Sequence, residues 1–149
     1  MPELELQVTD HIPEAIAQPS PAEIRRQIGL ILNSPQISKS PRLRQLFLFT
    51  CDRALNGDSA SLKEYVLGIE VFGKPASFDP RLDTIVRVQA RRLRNRIKEY
   101  YNSTGINDPV VIKYEAGCYA PKFSRNLSAI QKRAAAAPDS VEDRNVAAP

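Results

Sequence analysis

A chain of 149 residues and 16.6 kDa, 42% hydrophobic and 26% charged, has the size and composition of one globular domain with tails rather than two full domains. One histidine and two cysteines supply neither a carboxylate-free zinc site nor a disulfide framework, and no stretch approaches the roughly 20 apolar residues of a membrane span. The formal net charge is only +4, from 21 Lys and Arg against 17 Asp and Glu, so a strong electrostatic feature must come from where the charges fall.

Residues 1–20 contain Pro2, Pro13 and Pro19 and no sustained period, which predicts a flexible arm. With Glu3, Glu5 and Asp10 the opening is too acidic for a secretory signal, and a cytoplasmic protein is expected. The folded unit is predicted over residues 21–124. Its first helix starts at Pro21 behind Ser20 and carries Ile24, Ile28, Ile31 and Leu32 at helical spacing as far as Asn33-Ser34-Pro35. A second helix begins at Ser40-Pro41, turns Leu43, Leu46, Phe47 and Phe49 to one broad apolar face, and closes at Asn56-Gly57. Ser61-Leu62-Lys63-Glu64 has the form of a capping box, so a third helix is predicted from Ser61, burying Leu62, Tyr65, Val66 and Ile69 before Phe72-Gly73. A loop with Pro75 and Pro80 follows. Phe47, Phe49, Phe72 and Phe78 are expected in the core.

The fourth helix, from Asp83 or Thr84 to Asn102, is the most informative element. At 100° per residue, Val86, Ala90, Leu93, Ile97 and Tyr100 share an arc of about 80°, which must face the core. Arg87, Arg91, Arg94 and Lys98 fall together on the far side, at spacings of four, three and four, with Arg92 flanking them and Val88 and Asn95 between. Residues 81–105 carry seven bases and two acids, a local charge of +5 against −1 for the rest of the chain. A neutral protein with one concentrated basic element has the footprint of a polyanion binder.

Beyond Asn107-Asp108-Pro109, the β-branched run Val110-Val111-Ile112-Lys113-Tyr114 predicts a strand. Glu115-Ala116-Gly117 offers a bend, and a returning strand is predicted from Cys118-Tyr119-Ala120, with Pro121 ending it. Residues 125–149, rich in alanine and mixed charge, read as a disordered tail. The fold class is therefore α+β, three to four helices followed by a hairpin.

Catalytic chemistry is not expected. There is no Walker loop, nucleophile elbow or metal-spaced cluster, and Asp79, Asp83 and Asp108 sit as turn and capping residues. His11 has no partners in the arm, and Cys51 and Cys118 read as small buried apolar groups, with Cys118 the better redox candidate. The chain is expected to be no enzyme and to hold no metal and no cofactor.

Helix, helix, long basic helix and hairpin is also the order of a winged helix. The run Ile85-Val86-Arg87-Val88-Gln89-Ala90-Arg91-Arg92-Leu93-Arg94 resembles the recognition helix of OmpR/PhoB-type winged-helix regulators. The segment over 61–73, opening at Ser and ending in an aromatic and Gly, is similar to that family's positioning helix, and the hairpin through Tyr119 to its wing. The similarity extends over about residues 40–123 and is nearest to bacterial winged-helix proteins often fused to tetratricopeptide repeats, a pattern not found in these residues. Two positions depart from the family: Glu115 stands where an arginine usually precedes the turn, and Ala116-Gly117-Cys118-Tyr119 replaces Gly-x-Gly-Tyr. The family's N-terminal four-stranded sheet has no counterpart, because residues 22–33 read as helix.

The resemblance implies a winged helix-turn-helix module that reads double-stranded DNA with the fourth helix in the major groove, acting in bacterial transcription regulation. Arg87 and Arg91, with Arg92 beside them, lie at the helix start, where base edges are reached; Arg94, Arg96 and Lys98 lie where phosphates are met. Gln89 sits at the rim of the core arc, open to either a phosphate or a core hydrogen bond, and for Arg96 an ion pair with Glu99 or Glu64 stands beside DNA contact. Asn95 completes the helix set, and Lys113, Tyr119 and Lys122 are the hairpin candidates. Further partners left open are a second copy as a homodimer, RNA polymerase, or an effector protein, and no membrane. The competing reading is a winged-helix interaction or dimerisation module without DNA binding.

Overall fold

The computed structural model describes residues 18–129; the arm over 1–17, with His11, and the tail over 130–149 lie outside the described residues. Ser20 starts helix α1 (Pro21–Leu32) through a reciprocal capping box: its Oγ accepts from the Glu23 amide at 3.2 Å, and the Glu23 carboxylate accepts from the Ser20 amide at 2.9 Å. Helix α2 (Pro41–Leu55) repeats the device with Ser40, whose Oγ accepts from the Leu43 amide at 3.3 Å.

The third helix departs from its prediction. Ser61 closes a short 3₁₀ turn (Ser59–Ser61) and donates its hydroxyl to the Asp58 carbonyl at 2.9 Å, so no capping box forms on it. Helix α3 (Glu64–Glu70) starts later, behind Lys63. Leu67 and Gly68 become its buried pair, whereas Tyr65 is exposed and Val66 and Ile69 are only half-buried.

Helix α4 (Ile85–Tyr101) follows the predicted span, with the Asp83 carboxylate accepting from the Ile85 amide at 3.1 Å. Strands β1 (Val110–Lys113) and β2 (Lys122–Arg125) form an antiparallel pair that sets Val110 opposite Arg125 and Lys113 opposite Lys122. The return strand thus begins after Pro121, not at Cys118. Proline has no N–H for the ladder, and the chain turns through Gly117 at φ 81° before pairing starts. Arg125 belongs to β2 and bonds Glu23 of α1 at 2.6 Å, and Ala129 is buried, so the fold runs past the predicted boundary at Ser124. Ser20 and the buried Pro19 likewise belong to the folded part rather than to the arm.

The layout is α+β as expected, helices first and hairpin after. One core joins Ile24, Ile28 and Ile31 of α1, Leu43, Leu46 and Phe47 of α2, Leu67 of α3, the predicted arc of α4, and Val110 and Ile112 of β1. Each large aliphatic side chain there contributes on the order of 1.5–3 kcal/mol. Phe47 and Phe78 are buried, whereas Phe49 and Phe72 only lean on the core. Two tyrosines fix the hairpin to α4. Tyr101 donates to the Val110 carbonyl at 2.8 Å and accepts from the Ile112 amide at 2.9 Å. Tyr100 donates to the Asp108 carboxylate, which also accepts from Gln27 of α1 at 2.7 Å. Among the described residues no helix is long and apolar enough to cross a membrane.

Candidate nucleic-acid interface

The sequence of α4 dictates which of its cations reach solvent. Burying Val86, Ala90, Leu93, Ile97 and Tyr100 leaves Arg87, Arg91, Arg92, Asn95, Arg96 and Lys98 exposed and Arg94 half-buried. Arg91, Arg92, Arg94, Lys98 and, on β1, Lys113 make no salt bridge or side-chain hydrogen bond among the described residues, and Asn95 makes no side-chain bond either.

Three of these side chains converge. Arg94 and Lys98 of α4 and Lys113 of β1 border one open cleft of about 400 Å³ whose floor includes Ile97, Tyr101 and Val111, and no carboxylate lines it. On its other side Arg94 meets Cys118 and Tyr119 of the inter-strand loop. The basic row therefore leans toward the hairpin instead of running along the crest of the helix. That follows from helical geometry, since the row lies roughly 100° from the core axis. The crest itself carries Val88, 40% exposed, between Arg91 and Arg92. Leu82, 85% exposed, stands just ahead of the helix. The sequence reading places Val88 on the outer face without giving it a role and does not single out Leu82; the wheel position of Val88, opposite the core arc, is the available signal.

Arg87 behaves differently from its neighbours. Its Nε lies 3.0 Å from Glu64 Oε2 of α3, and its Nη2 donates to the Pro80 carbonyl at 2.8 Å. The Glu64 contact is an ion pair without an in-line hydrogen bond, and that buried oxygen has no other donor. Gln89 is 8% exposed and belongs to the core side of α4, a correction to its placement among the contact residues: its wheel position adjoins that of the buried Tyr100 at the edge of the core arc. Arg96 pairs with neither Glu99 nor Glu64; it reaches the Gln36 carbonyl at 3.5 Å.

On the hairpin, Lys113 is exposed and Tyr119 is half-buried. Burial pushes the Tyr119 phenol upward, Glu64 adds to the rise, and Arg87 and Arg94 oppose it. Glu115 forms a salt bridge with Lys122 at 2.5 Å, which holds its carboxyl below the ordinary range. The pair cancels the repulsive charge at the turn and also occupies Lys122. Cys51 is fully buried, with its thiol pushed up to about 12 chiefly by desolvation. Cys118 is exposed, contrary to its reading as a buried group, because it lies in the loop ahead of the strand. Among the described residues no group of His, Cys, Asp and Glu is placed to hold a metal ion.

Comparison with protein-family models, curated proteins and solved structures finds no match to this chain.

Proposed function

We propose that this protein is a winged helix-turn-helix DNA-binding module of bacterial transcription regulation, with α4 in the major groove of a duplex and the hairpin on the flanking backbone. One observation carries the reading: Arg91, Arg92, Arg94, Lys98 and Lys113 stand with no carboxylate engaging them among the described residues, and Arg94, Lys98 and Lys113 of that set border one cleft where α4 meets β1. Unpaired guanidiniums on a helix narrow enough for the major groove pair with phosphates along the stripe, and Arg87 at the helix start reaches guanine O6 and N7. Exposed Val88 beside them suits a thymine methyl. Lys113 is the hairpin cation that meets the backbone, since Lys122 is held by Glu115. Transcription regulation and the OmpR/PhoB type rest on the sequence resemblance.

The test is selection of bound duplexes from a random pool, with competition by heparin. Enrichment of a defined site supports the reading, and repeats spaced by about 10–11 base pairs indicate two copies on one face of the DNA. A pool that never converges, with no retention at low salt, refutes it. A second reading, an interaction module, is favoured by the cleft of Leu48, Phe49 and Val71 between α2 and α3, where Leu48 is 50% exposed. Under it, a partner protein or a second copy binds this chain while duplexes do not.

A further inference from the structure

Arg87 is the third residue of α4, in the first turn, where the helix dipole disfavours a cation. That turn contains no acidic residue of its own. An arginine there does nothing for the helix, and the negative charge beside it comes from another element. Glu64 of α3 supplies it, with a side chain 23% exposed against 52% for that of Arg87. The Pro80 carbonyl, from the loop between the two helices, takes an Nη2 proton.

The Pro80 carbonyl takes one proton of Nη2, and the Glu64 carboxylate lies against Nε as an ion pair, off the N–H direction. Nη1 makes no hydrogen bond among the described residues, so the end of the fork, Nη1 with the remaining Nη2 proton, stays open. A phosphate contact needs no such support, and Arg91, Arg92 and Arg94 have none. Base readout does need it: two donors must meet O6 and N7 of one guanine in one plane, and a side chain already held in that plane loses less rotamer freedom on binding.

Resting on the DNA-binding reading above, we propose that Glu64 is a positioning residue for sequence recognition. Its charge beside Nε, together with the Pro80 carbonyl on Nη2, restrains Arg87 and leaves the open end of the fork for a guanine. Glu64 touches no DNA itself. It sets specificity at the cost of a negative charge near a polyanion.

The full chain is titrated with the selected duplex and with a scrambled one, as wild type, Arg87→Ala, Glu64→Ala and Glu64→Gln, with a melting curve for each. Arg87→Ala is expected to lower the selected-to-scrambled ratio of affinities by about tenfold or more. Glu64→Ala is expected to lower the same ratio while tightening the scrambled duplex, because a repulsive charge is gone. Glu64→Gln, which keeps the size but not the charge, is expected to lower the ratio as Glu64→Ala does, because the contact with Nε is ionic. Replacing guanines of the selected site by 7-deazaguanine, one at a time, asks the question without altering the protein. One substitution must weaken the wild type and leave Arg87→Ala unaffected. If Glu64→Ala melts lower but keeps the ratio, or if no guanine distinguishes wild type from Arg87→Ala, the proposal is overturned and the DNA-binding reading stands. A wild type that binds neither duplex overturns both.

Discussion

Salt dependence is the property that the uncommitted cations of α4 and β1 govern most directly. Each phosphate neutralised releases counterions, so log K falls with log[salt] at about 0.9 per contact. Five cations of α4 and β1 are uncommitted: Arg91, Arg92, Arg94, Lys98 and Lys113. The expected slope is about −4.5, which weakens binding about 500-fold between roughly 50 and 200 mM salt. Replacing Arg91 and Arg94 together by alanine leaves three, for a slope of about −2.7 and a loss of about 40-fold over the same range. The double variant should melt within about 0.5 kcal/mol of wild type, because neither guanidinium has an ionic or hydrogen-bonding partner to lose. Arg87→Ala should move the slope less than either single substitution, its charge being already shared with Glu64. Anisotropy of a labelled duplex across a salt series reads the slopes, and calorimetry reads the stability. A double variant with the wild-type slope would refute the assignment of these cations to the interface. So would a collapse of its melting temperature, which would make them structural.

Three further outcomes concern the scaffold. Gly68→Ala adds a Cβ whose ideal position lies 2.3 Å from the Phe78 ring. Helix propensity favours alanine by about 1 kcal/mol, but overpacking costs about 1–3 kcal/mol, so a lower urea midpoint at unchanged slope is expected, and a higher midpoint would refute the packing. Thiol titration should show Cys118 reacting in the native protein and Cys51 only on unfolding; a fast thiol in Cys118→Ser would contradict the burial of Cys51. Hydrogen bonding from the Ser20 amide, and then from Arg125, holds the Glu23 carboxyl below its ordinary value of 4.5. A depressed folded-state pKa gives stability that is present above the unfolded value and lost as pH falls through the folded one. Glu23→Gln should therefore be less stable at neutral pH and lose less on acidification, and parallel wild-type and variant curves would refute this.

Local chemistry was legible in the chain as written. Ser20-Pro21 and Ser40-Pro41 start helices because a hydroxyl oxygen and a missing N–H act within one turn, and the apolar arc of α4 follows from 3.6-residue periodicity alone. The row of cations on α4 was legible for the same reason. What the row faces was not. Ser61 had two local partners, Asp58 behind it and the helix ahead, and a pattern of residue types does not say which one wins. Glu64 meets Arg87 only because α3 packs on α4, and Arg125 meets Glu23 across 102 residues because β2 pairs with β1 beside α1. Backbone propensity and periodicity are properties of neighbours along the chain, so the sequence alone determined helices α1, α2 and α4 and the clustering of charge. Coulomb attraction and desolvation depend on distance through space, so only the packed structure decided that Arg87 is tethered, that Gln89 is covered, and that Arg91, Arg92 and Arg94 are left open.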